Sequence, residues 1–269
     1  MRMPSFEALL LRDALVREEV WDRYRRDLSW FPPVTLALIA ACLLLHVAAV
    51  QLSADLGLLM AATGTLPRDV LFVLGGRHVD EVAAEPWRLA SCLFVHGGPL
   101  HLGLNVLALY GLGRLCEALY GPARFLFLFL VSGLAGSVLS WAGGVSMSVG
   151  ASSAVFGLLG AGVVFGLVQG RHLPSNLRRV FGRRLIPWVV LNLVIGLAPF
   201  LRIDNLGHLG GLLGGMVVAV VLGDRVIPWG RRFSGAGWAM LAFSVPVLAW
   251  AAFEVGHAYF ALLGYADPT

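Results

Sequence analysis

The stretch "GASSAVFGLLGAGVVFGLV", residues 150–168, is apolar throughout except for two adjacent serines near its start. Its length is close to the roughly 20 apolar residues that cross a bilayer as a helix. Its glycines would leave such a helix with a face that lacks bulky side chains, so that a second helix can approach closely. The stretch therefore predicts a spanning helix, and the unexplained feature is the pair of hydroxyl groups where that helix begins.

The whole chain has the composition of a membrane protein. Of its 269 residues, 58% are hydrophobic and 13% are charged, whereas about 25% of the residues in a soluble domain are charged. Every basic residue is arginine and the net charge is +4, which is small enough that we expect membrane lipid as a partner and no nucleic acid. The cysteines, Cys42, Cys92 and Cys116, match no metal-binding spacing.

Hydropathy divides the chain into seven predicted spans and the segments between them. The predicted spans cover about 33–59, 98–119, 123–143, 150–170, 185–201, 206–223 and 237–263. They define a charged amphipathic segment over 1–32, a six-span core over 33–223, and a cytoplasmic loop with a seventh span over 224–269. Within the core, residues 60–97 are too polar to span a bilayer and contain Pro, Gly, Trp and Arg residues that predict a folded outer loop.

The arginines indicate the orientation of the chain. Cytoplasmic loops of membrane proteins carry an excess of Lys and Arg. With the N-terminus inside, all arginines fall in inner segments apart from four, Arg68, Arg77, Arg88 and Arg202. The sequence therefore predicts a cytoplasmic N-terminus and an outer C-terminus, in a plasma membrane of the bacterial type.

Four polar residues share one predicted depth in the membrane. His101 lies in the first turn of the second span and Asn105 follows one turn later on the same face. Ser152 and His208 lie in the first turns of the fourth and sixth spans, which run in the same direction as the second. Polar residues inside spans usually face the bundle interior or a water-filled cavity. The shared depth predicts one interior site.

A reaction follows if two of these residues meet. Gly211 and Gly215 follow His208 along one stripe of its helix and would let that helix pack against the glycines of residues 150–168. A serine hydroxyl becomes a nucleophile when a base takes its proton, and histidine suits that task near neutral pH. The pattern predicts Ser152 as the nucleophile and His208 as the base.

The same position favours a negatively charged oxygen. Ser152 lies near a helix start, where unpaired backbone N–H groups and the positive end of the helix dipole stabilise an oxyanion. The side chains of His101 and Asn105 could donate further hydrogen bonds to it.

With these residues placed, the sequence resembles the rhomboid family of intramembrane serine proteases. Several motifs carry the resemblance, in the family's order and on the expected helices. They are "WR" at Trp87–Arg88, "FVHGGPLHLGLN" at 94–105 with His96, His101 and Asn105, Glu117 twelve residues later, "GASSAVFG" with Gly150, Ser152 and Phe156, and "HLGGLLGG" at 208–215 with His208, Gly211 and Gly215.

The resemblance implies a fold and an activity. The fold would be an all-α polytopic membrane protein with a six-helix rhomboid-like core and one extra C-terminal transmembrane helix. The activity would be cleavage of transmembrane-helix substrates near the outer face by a dyad of Ser152 and His208, without metal or cofactor. His101 and Asn105 would form the oxyanion site, and the remaining motif residues would support it. Substrates would be transmembrane proteins, and the oligomeric state is left open.

Two positions depart from the family's pattern. Position 153 is serine where the family commonly has glycine after the nucleophile. Position 156 is phenylalanine where some members have a tyrosine packed against the base, so the ring is kept and the hydroxyl is absent.

The individual residues also have other interpretations. Ser152 alone could be a helix cap, and Ser153 could be the reacting serine in its place. His96, His101 and His208 could bind a metal, although no acidic or Cys partner lies at ligand spacing. Asp204, four residues before His208, could orient the base as the third member of a triad or could cap the helix.

Two other classes of protein compete with a protease. A non-catalytic rhomboid-like protein would bind transmembrane helices and escort or retain them, and it would not need both Ser152 and His208. A transporter would need a polar path across the membrane, whereas the polar residues here gather near one face.

Overall fold

The computed structural model describes residues 14–15, 18–22, 24–26, 28, 31–58, 64–170, 173–198, 203–222 and 236–264. Two short strands accompany a set of helices. In chain order the elements are α1 (Pro33–Asp55), α2 (Arg68–Val73), β1 (Arg77–His78), α3 (Arg88–Ser91), α4 (Pro99–Ala108), a π-helical turn (Leu109–Gly113), α5 (Arg114–Tyr120), α6 (Pro122–Ala142), β2 (Met147–Ser148), α7 (Ser152–Gln169), α8 (Ser175–Val180), a 3-10 helix (Gly182–Leu185), α9 (Ile186–Ile195), α10 (Asn205–Leu222) and α11 (Ala236–Leu262).

The predicted all-α polytopic fold is confirmed. Among the described residues, six helices are long and apolar enough to cross a membrane, with α4, the π-helical turn and α5 acting as one. They cover Pro33–Asp55, Pro99–Tyr120, Pro122–Ala142, Ser152–Gln169, Asn205–Leu222 and Gly237–Leu262.

The fifth predicted span is much shorter in the structure than in the sequence analysis. The apolar run over 185–201 yields α9, a helix of 10 residues and so about 15 Å long, which is half the thickness of the hydrocarbon core. The helix ends at Ile195, and Gly196 follows it directly. Residues 199–201 lie outside the described part of the chain.

The close packing of α7 against α10 brings their backbones into direct contact. A methyl group on Gly215 would overlap the carbonyl oxygen of Gly157, and one on Gly211 would overlap that of Ser153. A step of four residues along α7, from Ser153 to Gly157, matches a step of four residues along α10, from Gly211 to Gly215. The two helices therefore run parallel and begin on the same side of the protein. Helices in lipid associate largely through such van der Waals contact between small residues.

Helix α6 completes the central bundle by packing antiparallel to α10. A methyl group on Gly210 would lie 2.8 Å from the carbonyl oxygen of Ala135, and one on Gly136 would lie 2.5 Å from that of Gly207. The three central helices therefore touch through backbone atoms on two sides of α10, which leaves little freedom in how its first turn is placed.

Glu117 fixes the beginning of α1. Its buried carboxylate accepts hydrogen bonds from the backbone N–H groups of Val34 at 3.0 Å and Thr35 at 2.8 Å, and from the Thr35 hydroxyl at 2.7 Å. The first N–H groups of a helix have no partner within the helix, and an anion at this end is favoured by the dipole. Glu117 therefore caps α1 from 82 residues away.

The loop predicted to lie outside the membrane is folded, and a pair of short strands is one of its attachments to the core. β1 pairs antiparallel with β2, so that Arg77 lies opposite Ser148. Arg88 is buried and donates to the carbonyl oxygens of Phe72 and Gly76, the latter at 3.1 Å. Trp87 is buried beside it in a cluster with Val255 of α11. The loop is therefore held between the core and α11.

The described part of the N-terminal segment contacts the side of the protein at which α7 ends. Val20 and Tyr24 are buried, and the ring of Tyr24 meets that of Phe181 edge to face with centroids 6.1 Å apart. Phe181 directly precedes the 3-10 helix that leads into α9.

Replacing Gly215 with alanine tests the backbone contact between α7 and α10. The added methyl group overlaps a backbone oxygen that cannot move away alone, so we expect Gly215→Ala to destabilise the fold by about 1–3 kcal/mol. Gly256→Ala is the matched control, because that helical glycine has nothing within 4 Å of a new methyl group. Thermal unfolding of both variants in detergent should show a lower Tm for Gly215→Ala alone, and equal Tm values would contradict the packing described here.

Candidate active site

Ser152 and His208 meet at the starts of the two parallel helices. Ser152 is the first residue of α7 and His208 lies in the first turn of α10. The Oγ of Ser152 and the Nε2 of His208 are 2.8 Å apart, which is hydrogen-bonding distance. Ser152 is half-buried and His208 is buried. The structure thus joins the two residues that the sequence analysis selected as nucleophile and base.

The ring of His208 is held by stacking. Phe156, one turn after Ser152 on α7, lies parallel to the imidazole with ring centroids 4.2 Å apart and an interplanar angle of 11°. For the serine hydroxyl to donate to Nε2, the ring proton must be on Nδ1, which has no hydrogen-bond partner among the described residues. Packing against Phe156 therefore fixes the orientation of the imidazole ring, a task that a hydrogen-bond partner on Nδ1 could also perform.

Within the described structure Asp204 hydrogen-bonds to the backbone at the start of α10 and not to the His208 ring. Its Oδ1 accepts a hydrogen bond from the backbone N–H of Gly207 at 2.8 Å, and its carbonyl oxygen accepts from the N–H of His208 at 3.0 Å. This is the geometry of a helix cap, the other interpretation that the sequence allowed.

The turn before Ser152 is bordered by His101 and Asn105. Gly150 has a φ of +113°, and a methyl group on it would lie 2.7 Å from the His101 ring and 3.8 Å from the Asn105 Nδ2. The amide of Asn105 donates to the carbonyl oxygen of His101 at 2.9 Å, and His101 Nδ1 accepts from the N–H of Gly97 at 3.4 Å. Both polar side chains thus lie beside the turn that presents Ser152.

His96 holds the residue that precedes Ser152. Its Nε2 accepts a hydrogen bond from the N–H of Ala151 at 3.4 Å, while Nδ1 lies 3.1 Å from the carbonyl oxygen of Phe94. A carbonyl can only accept, so the ring carries its proton on Nδ1. Burial lowers the pKa of His96 to about 3, which keeps the ring neutral and able to accept from Ala151.

Ser153 packs against α6 as well as against the start of α10. A methyl group on Gly136 of α6 would lie 2.6 Å from the Ser153 Cβ, and one on Gly207 would lie 3.1 Å from its Oγ. Ser153 is buried and lies in the contact between α6, α7 and the start of α10. Within the described part of the chain, Ser152 and not Ser153 hydrogen-bonds to the His208 ring.

No metal centre accompanies this site in the part of the chain that the structure describes, where no group of three or more His, Cys, Asp or Glu residues is arranged to hold an ion. His96 and His101 lie with ring centroids 5.2 Å apart, and His208 instead contacts Ser152.

Comparison with known proteins agrees with the motifs. A family model described as Rhomboid domain matches residues 83–225, which is more than half of the chain. The chain belongs to the rhomboid family. The match begins shortly before Trp87 and Arg88 and includes α7 and α10, so it covers every element that forms the site.

Named relatives of this rhomboid-family chain come from distant organisms. "Rhomboid protease GluP" of Bacillus subtilis (strain 168) is 34% identical over 206 residues, which is 76% of this chain and 39% of that protein. "RHOMBOID-like protein 5" of Arabidopsis thaliana is 41% identical over 155 residues, covering 56% of this chain and 48% of that protein. "Rhomboid-like protease 3" of Toxoplasma gondii is 33% identical over 155 residues, covering 55% of this chain and 56% of that protein.

This rhomboid-family chain therefore spans about two fifths to little more than half the length of these relatives. Membership of the family and the protease named among its relatives support intramembrane proteolysis at the level of the family. Together with the six apolar helices, they identify an integral membrane protein.

Sequence reasoning missed three polar residues near the dyad. Arg77 of β1, Ser140 of α6 and Ser148 of β2 gather around Asp204. Their positions in the chain share no periodicity, since two of the residues lie in two-residue strands. Nothing in the sequence marks Arg77 as buried, so no signal pointed to this group.

Gly150→Ala tests the crowding of the turn before Ser152. The new methyl group would clash with the His101 ring in addition to straining a residue with positive φ. Gly144→Ala is the control, since Gly144 also has a positive φ, of +73°, but nothing within 4 Å. The control should lose about 1–2 kcal/mol of folding stability from backbone strain alone. Gly150→Ala should lose more stability, and it should also label more slowly with a serine-reactive fluorophosphonate.

Equal loss of Tm and equal labelling rates in the Gly150→Ala and Gly144→Ala variants would show that His101 does not press against this turn.

Proposed function

We propose that this chain is an intramembrane serine endopeptidase in which Ser152 is the nucleophile and His208 is the general base. The observation that carries the proposal is the 2.8 Å contact between Ser152 Oγ and His208 Nε2. Nucleophile and base within hydrogen-bonding distance are the diagnostic geometry of covalent catalysis by serine.

The first half of the reaction forms an ester. As Ser152 Oγ attacks the carbonyl carbon of a substrate peptide bond, His208 Nε2 takes the hydroxyl proton. The carbonyl oxygen then carries a negative charge, next to the first turn of α7, whose N–H groups have no partner within the helix. His101 and Asn105 border the same turn. One well-placed donor to such an oxyanion contributes ~3–4 kcal/mol.

The second half restores the enzyme. The tetrahedral intermediate collapses when its C–N bond breaks, and His208 gives its proton to the leaving amine nitrogen. The substrate's acyl group stays on Ser152 Oγ as an ester. A water molecule then attacks the ester carbon while His208 takes the water's proton, and the acid product leaves as the proton returns to Ser152 Oγ. No metal or cofactor enters these steps.

The proposed substrates are transmembrane helices cleaved near the outer face of the membrane. The arginine distribution supports a cytoplasmic N-terminus, and with that orientation the starts of α7 and α10 would lie near the outer face. Water can reach a site at this depth more readily than one at the bilayer centre. The relative named as a protease supports a peptide substrate, and the residues over 1–32 and 224–269 are assigned no part in the chemistry.

Serine substitutions test the proposed chemistry. Ser152→Ala and His208→Ala should each reduce cleavage of a single-span model substrate by about 10⁴-fold or more, because the dyad acts as a unit. Ser153→Ala is the matched control, with the same atoms removed one residue away. It should retain cleavage and fluorophosphonate labelling, whereas Ser152→Ala should abolish labelling.

Each other outcome has a distinct meaning. Labelling that survives in Ser152→Ala and disappears in Ser153→Ala would move the nucleophile by one residue. A correctly inserted wild-type protein that neither labels nor cleaves, yet retains a co-expressed transmembrane helix, would instead support the non-catalytic escort class.

A further inference from the structure

Four polar side chains meet next to the dyad without taking part in the proposed reaction. They come from four different parts of the fold, and none of them contacts Ser152 Oγ or the His208 ring in the described structure. They are Arg77 of β1, Ser140 of α6, Ser148 of β2, and Asp204 immediately before α10.

The Asp204 carboxylate is attached to the helix that carries the base. Its Oδ1 accepts from the N–H of Gly207 at 2.8 Å, and Gly207 is the residue before His208. A methyl group on Gly207 would lie 2.7 Å from Asp204 Oδ2, so only glycine lets the carboxylate approach this closely. The carboxylate also lies at the positive end of the α10 dipole, where a negative charge is favoured.

The same carboxylate is attached to the strand that leads to the nucleophile. The hydroxyl of Ser148 donates to Asp204 Oδ2 at 2.7 Å. Ser148 ends β2 four residues before Ser152, and the intervening turn is constrained at Gly150 by its positive φ and by the His101 ring. One side chain therefore ties together the two segments whose separation determines the Ser152–His208 distance.

A buried arginine faces this carboxylate through a hydroxyl group. Arg77 is fully buried, and its Nη2 donates to Ser140 Oγ at 2.8 Å and to the Val145 carbonyl oxygen at 3.2 Å. Ser140 in turn donates to Asp204 Oδ2. A buried charge is costly unless an opposite charge compensates for it, and Asp204 lies at the other end of this short chain of hydrogen bonds.

The outer loop determines where Arg77 lies. Arg77 is paired with Ser148 in the register of β1 and β2. The two glycines before it are fixed by α3, since Arg88 donates to the Gly76 carbonyl oxygen at 3.1 Å and Ser91 donates to that of Gly75 at 2.7 Å. The backbone position of the arginine therefore depends on the fold of the loop.

We infer that Asp204 and Arg77 are positioning residues for the dyad. Asp204 locks the first turn of α10 to the strand that precedes Ser152, and Arg77, acting through Ser140, holds the Asp204 carboxylate where it accepts hydrogen bonds from both segments. Neither residue touches the substrate or the reacting atoms. The inference rests on the proposed serine protease function, and it adds to the dyad a buried arginine and a half-buried carboxylate that a serine bridges.

Kinetics of Asp204 variants separate positioning from general structural support. In Asp204→Ala we expect kcat to fall by about 100-fold, the effect of displacing a reacting group by about 1 Å, with KM nearly unchanged because no substrate contact is lost. Asp204→Asn keeps a capping oxygen but not the charge, so its loss of kcat should be smaller. Asp80→Asn is the matched control, since Asp80 follows β1 and its side chain is 80% exposed.

Arg77 variants test whether the positive charge of this side chain is needed to hold the Asp204 carboxylate. Arg77→Lys should retain most of the kcat that Arg77→Gln loses, because lysine keeps the positive charge. The double variant Arg77→Gln with Asp204→Asn should lose less than the product of the two single effects, because both substitutions break one network. A full multiplicative loss, or equal loss in the Lys and Gln variants, would overturn the role given to Arg77.

Hydrogen exchange supplies a readout that needs no activity. The Gly207 amide should exchange about fivefold faster in Asp204→Ala than in the wild type, the factor that loss of a typical helix cap corresponds to. If the wild type does not label or cleave, the proposed function fails and this measurement still tests the attachment of α10. If the wild type cleaves and Asp204→Asn and Asp204→Ala keep normal kcat and exchange, the positioning role is wrong and the proposed function stands. In an Asp204 variant, an unchanged kcat with a KM that rises by the factor by which kcat/KM falls would likewise contradict the positioning role.

Discussion

The backbone contact between α7 and α10 is the constraint on which the site depends. Where Gly215 meets Gly157 and Gly211 meets Ser153, no side chain separates the two helices. Helices this close cannot slide or rotate without colliding, so the starts of both helices are fixed relative to each other. A dyad built on helix ends needs this rigidity, because a hydrogen bond tolerates displacement of only a few tenths of an ångström. The stacking of Phe156 on His208 then removes the remaining freedom of the ring.

Much of the fold and the dyad could be predicted from residue patterns alone. Long apolar runs give spanning helices because each must satisfy its own backbone hydrogen bonds in lipid. Ser152 and His208 could be paired because their helices were expected to run in the same direction and to pack through glycine. The length of α9 could not be obtained this way, because hydropathy continues past Gly196 and carries no information about where helical hydrogen bonding stops.

The surroundings of the dyad were much harder to predict. Arg77, Ser148 and Asp204 are brought together by a two-residue strand pair and by a helix cap, and neither feature leaves a periodic pattern. The outer loop was recognised as folded from its Trp87 and Arg88, but its function as the support of a buried arginine depends on a register that only the three-dimensional structure gives. Long-range polar contacts of this kind depend on exact distances, whereas apolar burial tolerates many sequences.

The separation of Ser152 and His208 along the chain has a consequence for biosynthesis. The two residues are 56 positions apart. Asp204, which caps α10, is synthesised only four residues before His208. A ribosome adding about 5–20 residues per second needs roughly 3–11 s to cover that distance. During this interval the nascent chain carries the serine without the histidine that the structure places against it. In the proposed mechanism the hydroxyl would stay unactivated until α10 enters the membrane, so a partly inserted protein would have no dyad with which to cleave neighbouring chains.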